Sequence, residues 1–193
     1  MESKRDQLLR TAWRLFESQG YHATGINQII SESGVPKGSF YHYFPDGKEG
    51  LAREAIDAIG SGLRHKLESA CASGPDCLSG IAGLIRTVAE HVEASQFKHG
   101  GPLTTVALET ATSNQRLNEG CRHAYHTLLD LLVERLRSDG MDEQEAREIS
   151  TTIIAGLEGA ILLSRTFHDR TPLDHLAAHV EQIRRDRMPG SLL

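Results

Sequence analysis

The sequence predicts an all-α protein, with a three-helix head at its N-terminus and a larger helical bundle after it. Three observations carry that expectation. Apolar residues recur every three or four positions in one segment after another, and no stretch shows the alternation of a half-buried strand. Clusters containing Gly and Pro cut the chain repeatedly, so the segments are separate helices rather than one long one. The 193 residues are 39% hydrophobic and 24% charged, the balance of a globular chain that buries a core without needing a disulfide or a metal.

The first helix is expected from about Glu2 to Gln19, with Leu8, Leu9, Ala12, Trp13 and Phe16 on one stripe and Gly20 after its last turn. A second runs from about Gly25 to Ser33, with Thr24 at the N-cap position, Ile26, Ile29 and Ile30 facing inward, and Gly34 as its break. Pro36 opens a third, short helix that ends near Tyr43. After Phe44-Pro45-Asp46-Gly47 a long helix spans about Lys48–Ala72. Ser73-Gly74-Pro75-Asp76 separates it from a helix over about Cys77–Ser95. Beyond the loop at His99–Pro102, helices are expected over Leu103–Ala111 and Asn114–Leu136. Asp142 caps the next, which runs to about Phe167, and Pro172 starts the last, which ends near Arg187. This places a head at residues 1–47, a body at 48–187 and a frayed tail at 188–193.

Charge separates the two parts. The chain carries 21 Lys/Arg and 26 Asp/Glu; residues 1–55 hold seven of each, so the whole acidic excess lies in the body. A chain with that distribution binds a polyanion only through its first part. No apolar run approaches the roughly 20 residues of a membrane span, and the N-terminus lacks the apolar core of a signal peptide. A cytoplasmic location without membrane contact is therefore expected. The three cysteines, Cys71, Cys77 and Cys121, show no metal spacing and read as reduced thiols packed as small hydrophobes.

The second and third helices, joined by a tight turn at Gly34, form a helix-turn-helix pattern. Phe40 and Phe44 lie one turn apart and are expected in the core. Lys37, Gly38, Ser39, Tyr41 and His42 are left for a DNA groove, with Tyr43 divided between that face and packing on the following helix. Lys supplies a cation, Ser, Tyr and His reach phosphates or base edges, and Gly38 lets backbone approach closely. Lys48 and Thr24, near two helix N-termini, are expected to meet phosphates.

The run from Thr24 to Phe44, TGINQIISESGVPKGSFYHYF, followed by Gly47-Lys48-Glu49-Gly50-Leu51, resembles the DNA-binding domain of the tetracycline-repressor (TetR) family. Gly101-Pro102-Leu103-Thr104 and Ala107-Leu108-Glu109, with the junction at Phe44–Lys48, resemble the LmrA/YxaF-type subgroup. The resemblance implies an all-α homodimer that binds a double-stranded operator and a small effector in its C-terminal domain. It implies DNA contacts at Thr24, Lys37, Ser39, Tyr41, His42 and Lys48, and flavonoids or drugs among the ligand classes.

The helix ending at Phe167 is apolar nearly all round, so a partner subunit is expected to cover one of its faces. Ile153, Gly156, Leu157, Ala160 and Leu163, with Leu176, Val180 and Ile183 of the last helix, are the candidate dimer residues of a four-helix interface. An apolar or aromatic effector is expected inside the bundle, lined by Val88, His91, Val92, Phe97, Leu103, Val106, Tyr125, Leu128, Leu129, Leu132 and Phe167. His123 and His126, and His175 and His179, are helical pairs without further ligands nearby in sequence, so no metal and no cofactor is expected. No nucleophile elbow, phosphate-cradling loop or metalloprotease motif is present, which predicts a non-enzyme. Glu109 and Glu158 sit in apolar helices and need partners, either a ligand's polar group or Arg165 or Arg122. The competing readings are a helical small-molecule-binding protein or enzyme whose helix-turn-helix is incidental, and an architectural DNA-binding protein. The acidic body opposes the latter.

Overall fold

The computed structural model describes residues 3–187, except for the side chain at position 102. Its nine helices among these residues are α1 (Lys4–Gln19), α2 (Ile26–Ser33), α3 (Lys37–Tyr43), α4 (Gly47–Ser73), α5 (Cys77–Ala94), α6 (Pro102–Thr110), α7 (Gln115–Ser138), α8 (Glu143–Phe167) and α9 (Thr171–Arg187). There is no strand among the described residues, as the periodicity requires. Each helix lies within a few residues of its expected span. The predicted beginning of the first helix at Glu2 and the tail at 188–193 lie outside the described residues.

Two N-termini need correction. Thr24 is not the cap of α2: Gly25 holds that position without a side-chain bond, and the Thr24 hydroxyl donates to the Gly20 carbonyl at 2.7 Å instead. Pro36 is the N-cap of α3 rather than part of its first turn. Asp142 caps α8 as expected, accepting the Glu145 N–H at 3.0 Å. Gly34 ends α2 in the left-handed region, with φ 67° and ψ 9°, where a Cβ would be strained; this lets the chain reverse within two residues.

The chain packs as two compact units, Met1–Gly62 with Gly101–Tyr125, and Leu63–Gly100 with His126–Leu193. The first has its own core, in which α1, α2 and α3 bury Leu8, Phe16, Ile29, Phe40 and Phe44 with Leu51 and Ile56 of α4, Leu103 and Val106 of α6, and Leu117 of α7. Phe16 is buried as expected, while Trp13 packs at the edge of this core, half-buried. The second unit has α9 packed on α5 and α8, with Ile81, Ile85, Leu132, Leu136, Ile153, Leu173 and Val180 in its core.

The cysteine expectation is overturned in part. Cys71 and Cys77 are joined in a disulfide, because the sharp α4–α5 turn brings two residues six apart into contact. Cys121 is free and buried, and burial pushes its thiol up to about 11.

Candidate functional site

The short helix α3 is held from one side only. Phe40 and Phe44 are buried, and the Phe44 N–H closes the last turn onto the Phe40 carbonyl at 2.8 Å. Anchoring one face through two aromatic rings turns the opposite face outward. Lys37, Gly38, Tyr41 and His42 are exposed, and Ser39 and Tyr43 are half-buried. Tyr41 is 46% exposed, a large value for a ring with so much apolar surface. Its edge meets the Phe40 ring at a centroid distance of 5.1 Å, and the His42 and Tyr43 rings lie 5.2 Å apart. A Cβ at Gly38 would meet nothing within 4 Å. The face therefore offers a cation, a phenol, an imidazole and bare backbone within two helical turns.

Thr24 and Lys48 are placed differently from their neighbours. Thr24 is fully buried. Lys48 reaches back over the α1–α2 turn, donating from Nζ to the Tyr21 and Thr24 carbonyls at 3.0 Å each and lying 4.2 Å from the Tyr21 ring centroid. Desolvation there lowers its ammonium below the usual lysine range, opposed by the nearby Glu109 carboxylate. Burial, and then Glu49, raises the Tyr21 phenol.

Glu109 and Tyr21 support this turn, a role the sequence did not assign to them, and Glu49 is fixed nearby. Glu109 on α6 accepts the His22 backbone N–H at 2.7 Å. Glu49 on α4 accepts from Asn114 at 2.9 Å. Tyr21 packs on Phe16. Arg165, one of the two arginines offered as partners for Glu109 and Glu158, donates instead to the Gly100 and Lys98 carbonyls. The one available signal was a carboxylate in an apolar helix, and its partner is backbone, which no side-chain search finds. On the neighbouring surface of α1 and α2, Gln28 and then Arg14 hold the Glu32 carboxyl below its usual range through hydrogen bonds at 2.9 and 2.5 Å.

The candidate ligand residues divide between the two units. Val92, Leu103, Val106 and Leu132 are fully buried core residues, with Leu103, Val106 and Tyr125 in the first unit and the rest in the second. The Tyr125 hydroxyl lies 3.0 Å from that of Thr104. Leu128 is buried, Leu129 is half-buried, and Phe97 packs at the edge of the second core. Only Val88 and His91 line a groove of about 890 Å³ between α4 and α5, together with His65, Lys66, Ser69, Ser73, Leu84 and Thr87. Periodicity marks core and cavity walls alike, which is why the set scattered.

The candidate dimer residues divide likewise. Ile153 and Val180 are engaged in the core of their own unit, while Leu157, Leu176 and Ile183 are half-buried at its edge. Gly156, Ala160, Leu163 and Leu176 line a concavity of about 640 Å³ on α8 and α9 that also takes in Phe167. Phe167 is 63% exposed and Leu163 44%, so both present apolar surface to this concavity. No helix among the described residues is long and apolar enough to cross a membrane, and none of them form a group of three or more metal-ligating side chains.

Comparison with known proteins agrees with this geometry. A family described as "Bacterial regulatory proteins, tetR family" matches residues 8–55, and "Transcriptional regulator LmrA/YxaF-like, C-terminal domain" matches residues 77–179. The chain is 38% identical over 179 residues to the HTH-type transcriptional regulator LmrA of Bacillus subtilis, covering 93% of this chain and 95% of that one. It is 38% identical over 176 residues to YxaF of the same organism, covering 91% and 92%. Among solved structures, a TetR transcriptional regulator from Legionella pneumophila superposes with a TM-score of 0.85 at 18% identity, covering 95% of this chain and 98% of that one, a likeness of fold.

Proposed function

The chain belongs to the TetR family of bacterial transcriptional regulators, with an LmrA/YxaF-like C-terminal domain, and from that premise we propose that it is a homodimeric repressor released from its operator by a small effector. The exposed face of α3 carries this reading. In it, Lys37 neutralises a phosphate, Ser39, Tyr41 and His42 reach base edges or phosphates, and Gly38 admits the backbone to the groove. Tyr43, half-buried, lies at the edge of the contact. Thr24 and Lys48 act from behind: they hold the α1–α2 turn that sets the α2–α3 pair, rather than meeting DNA with free side chains.

Two such heads read successive major grooves about 34–36 Å apart on a near-palindromic site. The acidic body makes no favourable contact with the polyanion, so affinity comes from the heads and falls with salt. The exposed apolar face of α8 and α9, with Leu163, Phe167, Gly156 and Leu176, is the surface we assign to the second copy. The α4–α5 groove is the site we assign to the effector. Its volume suits a small molecule, and Leu84 and Val88 face an apolar or aromatic body while His65, His91 and Thr87 meet its polar groups. Release requires that the effector bind the DNA-incompetent state more tightly than the competent one. Such a regulator works in the cytoplasm. A small-molecule-binding bundle or enzyme with an incidental helix-turn-helix is not favoured, since the family match over residues 8–55 takes in the whole helix-turn-helix.

Fluorescence anisotropy with a duplex from the region upstream of the chain's own gene tests the reading. Saturable binding that survives competitor DNA is expected, with Lys37→Ala and Tyr41→Ala each weakening it by roughly 1–3 kcal/mol while the dimer persists. Equal affinity of the wild-type chain for a scrambled duplex refutes it.

A further inference from the structure

Cys71 lies in the last turn of α4 and Cys77 is the first residue of α5. Their Cα atoms are 4.0 Å apart, and the backbone holds them there without help from the sulfur bond. At this crossing the two helices touch main chain to main chain. A Cβ at Gly80 would overlap the Ala70 carbonyl oxygen and lie 3.2 Å from the Cys71 Cα. The N-terminus of α5 is also clamped. The Asp76 carboxylate accepts the Ser79 N–H at 2.8 Å and the Arg184 guanidinium at 2.6 Å, and Asp139 accepts the Cys77 N–H at 2.7 Å. The bond therefore closes a short loop whose ends are already fixed, and by the chain-entropy argument a short loop contributes least to stability.

The two cysteines differ in exposure. Cys77 is 2% exposed, whereas Cys71 is half-buried. Ala70, Ser73, Pro75 and Ser79 line the neighbouring α4–α5 groove, whose lining includes neither cysteine, so it is at the turn itself that a small solute meets the partly exposed Cys71. In a reducing compartment a disulfide that forms at all is usually transient or regulatory rather than structural.

We propose that Cys71 and Cys77 form a reversible dithiol–disulfide pair that exchanges with low-molecular-weight disulfides meeting Cys71 at the α4–α5 turn. The Cys71 thiolate attacks one sulfur of the small disulfide, RSSR, forming a mixed disulfide and expelling RS⁻. The Cys77 thiol then loses its proton to water, and its thiolate attacks the Cys71 sulfur and expels the second RS⁻. In sum, two protein thiols and RSSR give one protein disulfide and two RSH, so the protein is oxidised and the small disulfide reduced by two electrons. Cys121, buried with a raised thiol, takes no part. This inference does not rest on the proposed DNA or effector binding, because its experiment reads only the thiol state of the cysteines at the α4–α5 turn.

The full chain, equilibrated in glutathione buffers from fully reduced to fully oxidised, is quenched with acid, labelled with N-ethylmaleimide under denaturing conditions and weighed intact. Three labels are expected under excess reduced glutathione. One label, on Cys121, is expected under excess oxidised glutathione, with a peptide linking Cys71 to Cys77 and full interconversion between the two states. Three labels at every ratio, one label at every ratio, or a stable glutathione adduct on the wild-type chain each overturns the proposal. Cys77→Ser removes the resolving thiol and is expected to trap one glutathione on Cys71. An untrapped Cys77→Ser chain with native circular dichroism, or faster adduct formation at Cys77 in Cys71→Ser, overturns the assigned order of attack.

Discussion

The carboxylate of Glu109 accepts the backbone N–H of His22 at 2.7 Å, eighty-seven residues away in sequence. The same contact closes the space beside Gly20, where φ is +91° and a Cβ would overlap the Glu109 side chain. On its other side, His22 Nε2 lies 3.2 Å from the Glu109 carbonyl oxygen and 3.3 Å from the Ser113 hydroxyl. A residue of α6 thus fixes the turn between α1 and α2, and through it the N-terminal end of the helix-turn-helix.

Replacing that carboxylate tests its importance. Glu109→Ala leaves the His22 N–H without its charged acceptor and costs about 1 kcal/mol locally. Amide exchange at His22 is expected to accelerate severalfold, and operator affinity to fall by less than in the α3 variants, because no DNA-facing group is removed. An unchanged exchange rate shows that the turn is held by other contacts.

Lys37 and Lys48 should separate cleanly in a salt titration. If Lys37 meets a phosphate, Lys37→Ala lowers the slope of log K against log salt by about 1. Lys48→Met, which keeps the aliphatic stem but loses the two bonds to the Tyr21 and Thr24 carbonyls, is expected to leave the slope unchanged and lower thermal stability. A slope change in Lys48→Met equal to that of Lys37→Ala would return Lys48 to the DNA-contacting set.

The α8–α9 face is tested by a charge at its centre. Phe167→Glu places a carboxylate on a surface assigned to the partner and is expected to weaken dimerisation at least tenfold, ~1.4 kcal/mol. Sedimentation of the variant at half the wild-type mass, with unchanged helicity, is the expected result. Ile153→Val, a change within the protomer's own core, is expected to lower stability by about 1 kcal/mol and leave the dimer intact.

Alkaline stability should report on Cys121. Its thiol rises from an ordinary 9.0 to about 11 in the folded chain. As pH climbs past 9 the unfolded chain loses this proton first, so fewer protons are bound unfolded than folded and stability falls. The contribution is complete below pH 9 and lost progressively toward pH 11 and beyond. Denaturant titrations of wild type and Cys121→Ala at pH 8 and 11 measure it, and the variant is expected to lose less stability between the two. A parallel loss in both chains refutes the assignment.

The helices and their order could be read directly from the chain, because their signals are local. Apolar residues at helical spacing, Gly34 and Gly20 after helix ends, and Asp142 before α8 act on neighbours a few positions away, and each helix stands close to its expected span. The exposed side chains of α3 were legible for the same reason: two buried phenylalanines one turn apart leave only one face free. What needed tertiary structure was every partnership across long stretches of chain. Glu109 with His22, Glu49 with Asn114 and Asp76 with Arg184 join residues whose periodicity is silent about each other. So does the distinction between Ile153 in its own core and Phe167 at the surface, for a hydrophobic stripe records that a face is buried and not what buries it. The cysteines show the same limit at short range. Cys71 and Cys77 are only six residues apart, yet their pairing follows from a close helix crossing at Gly80 that composition and spacing do not contain.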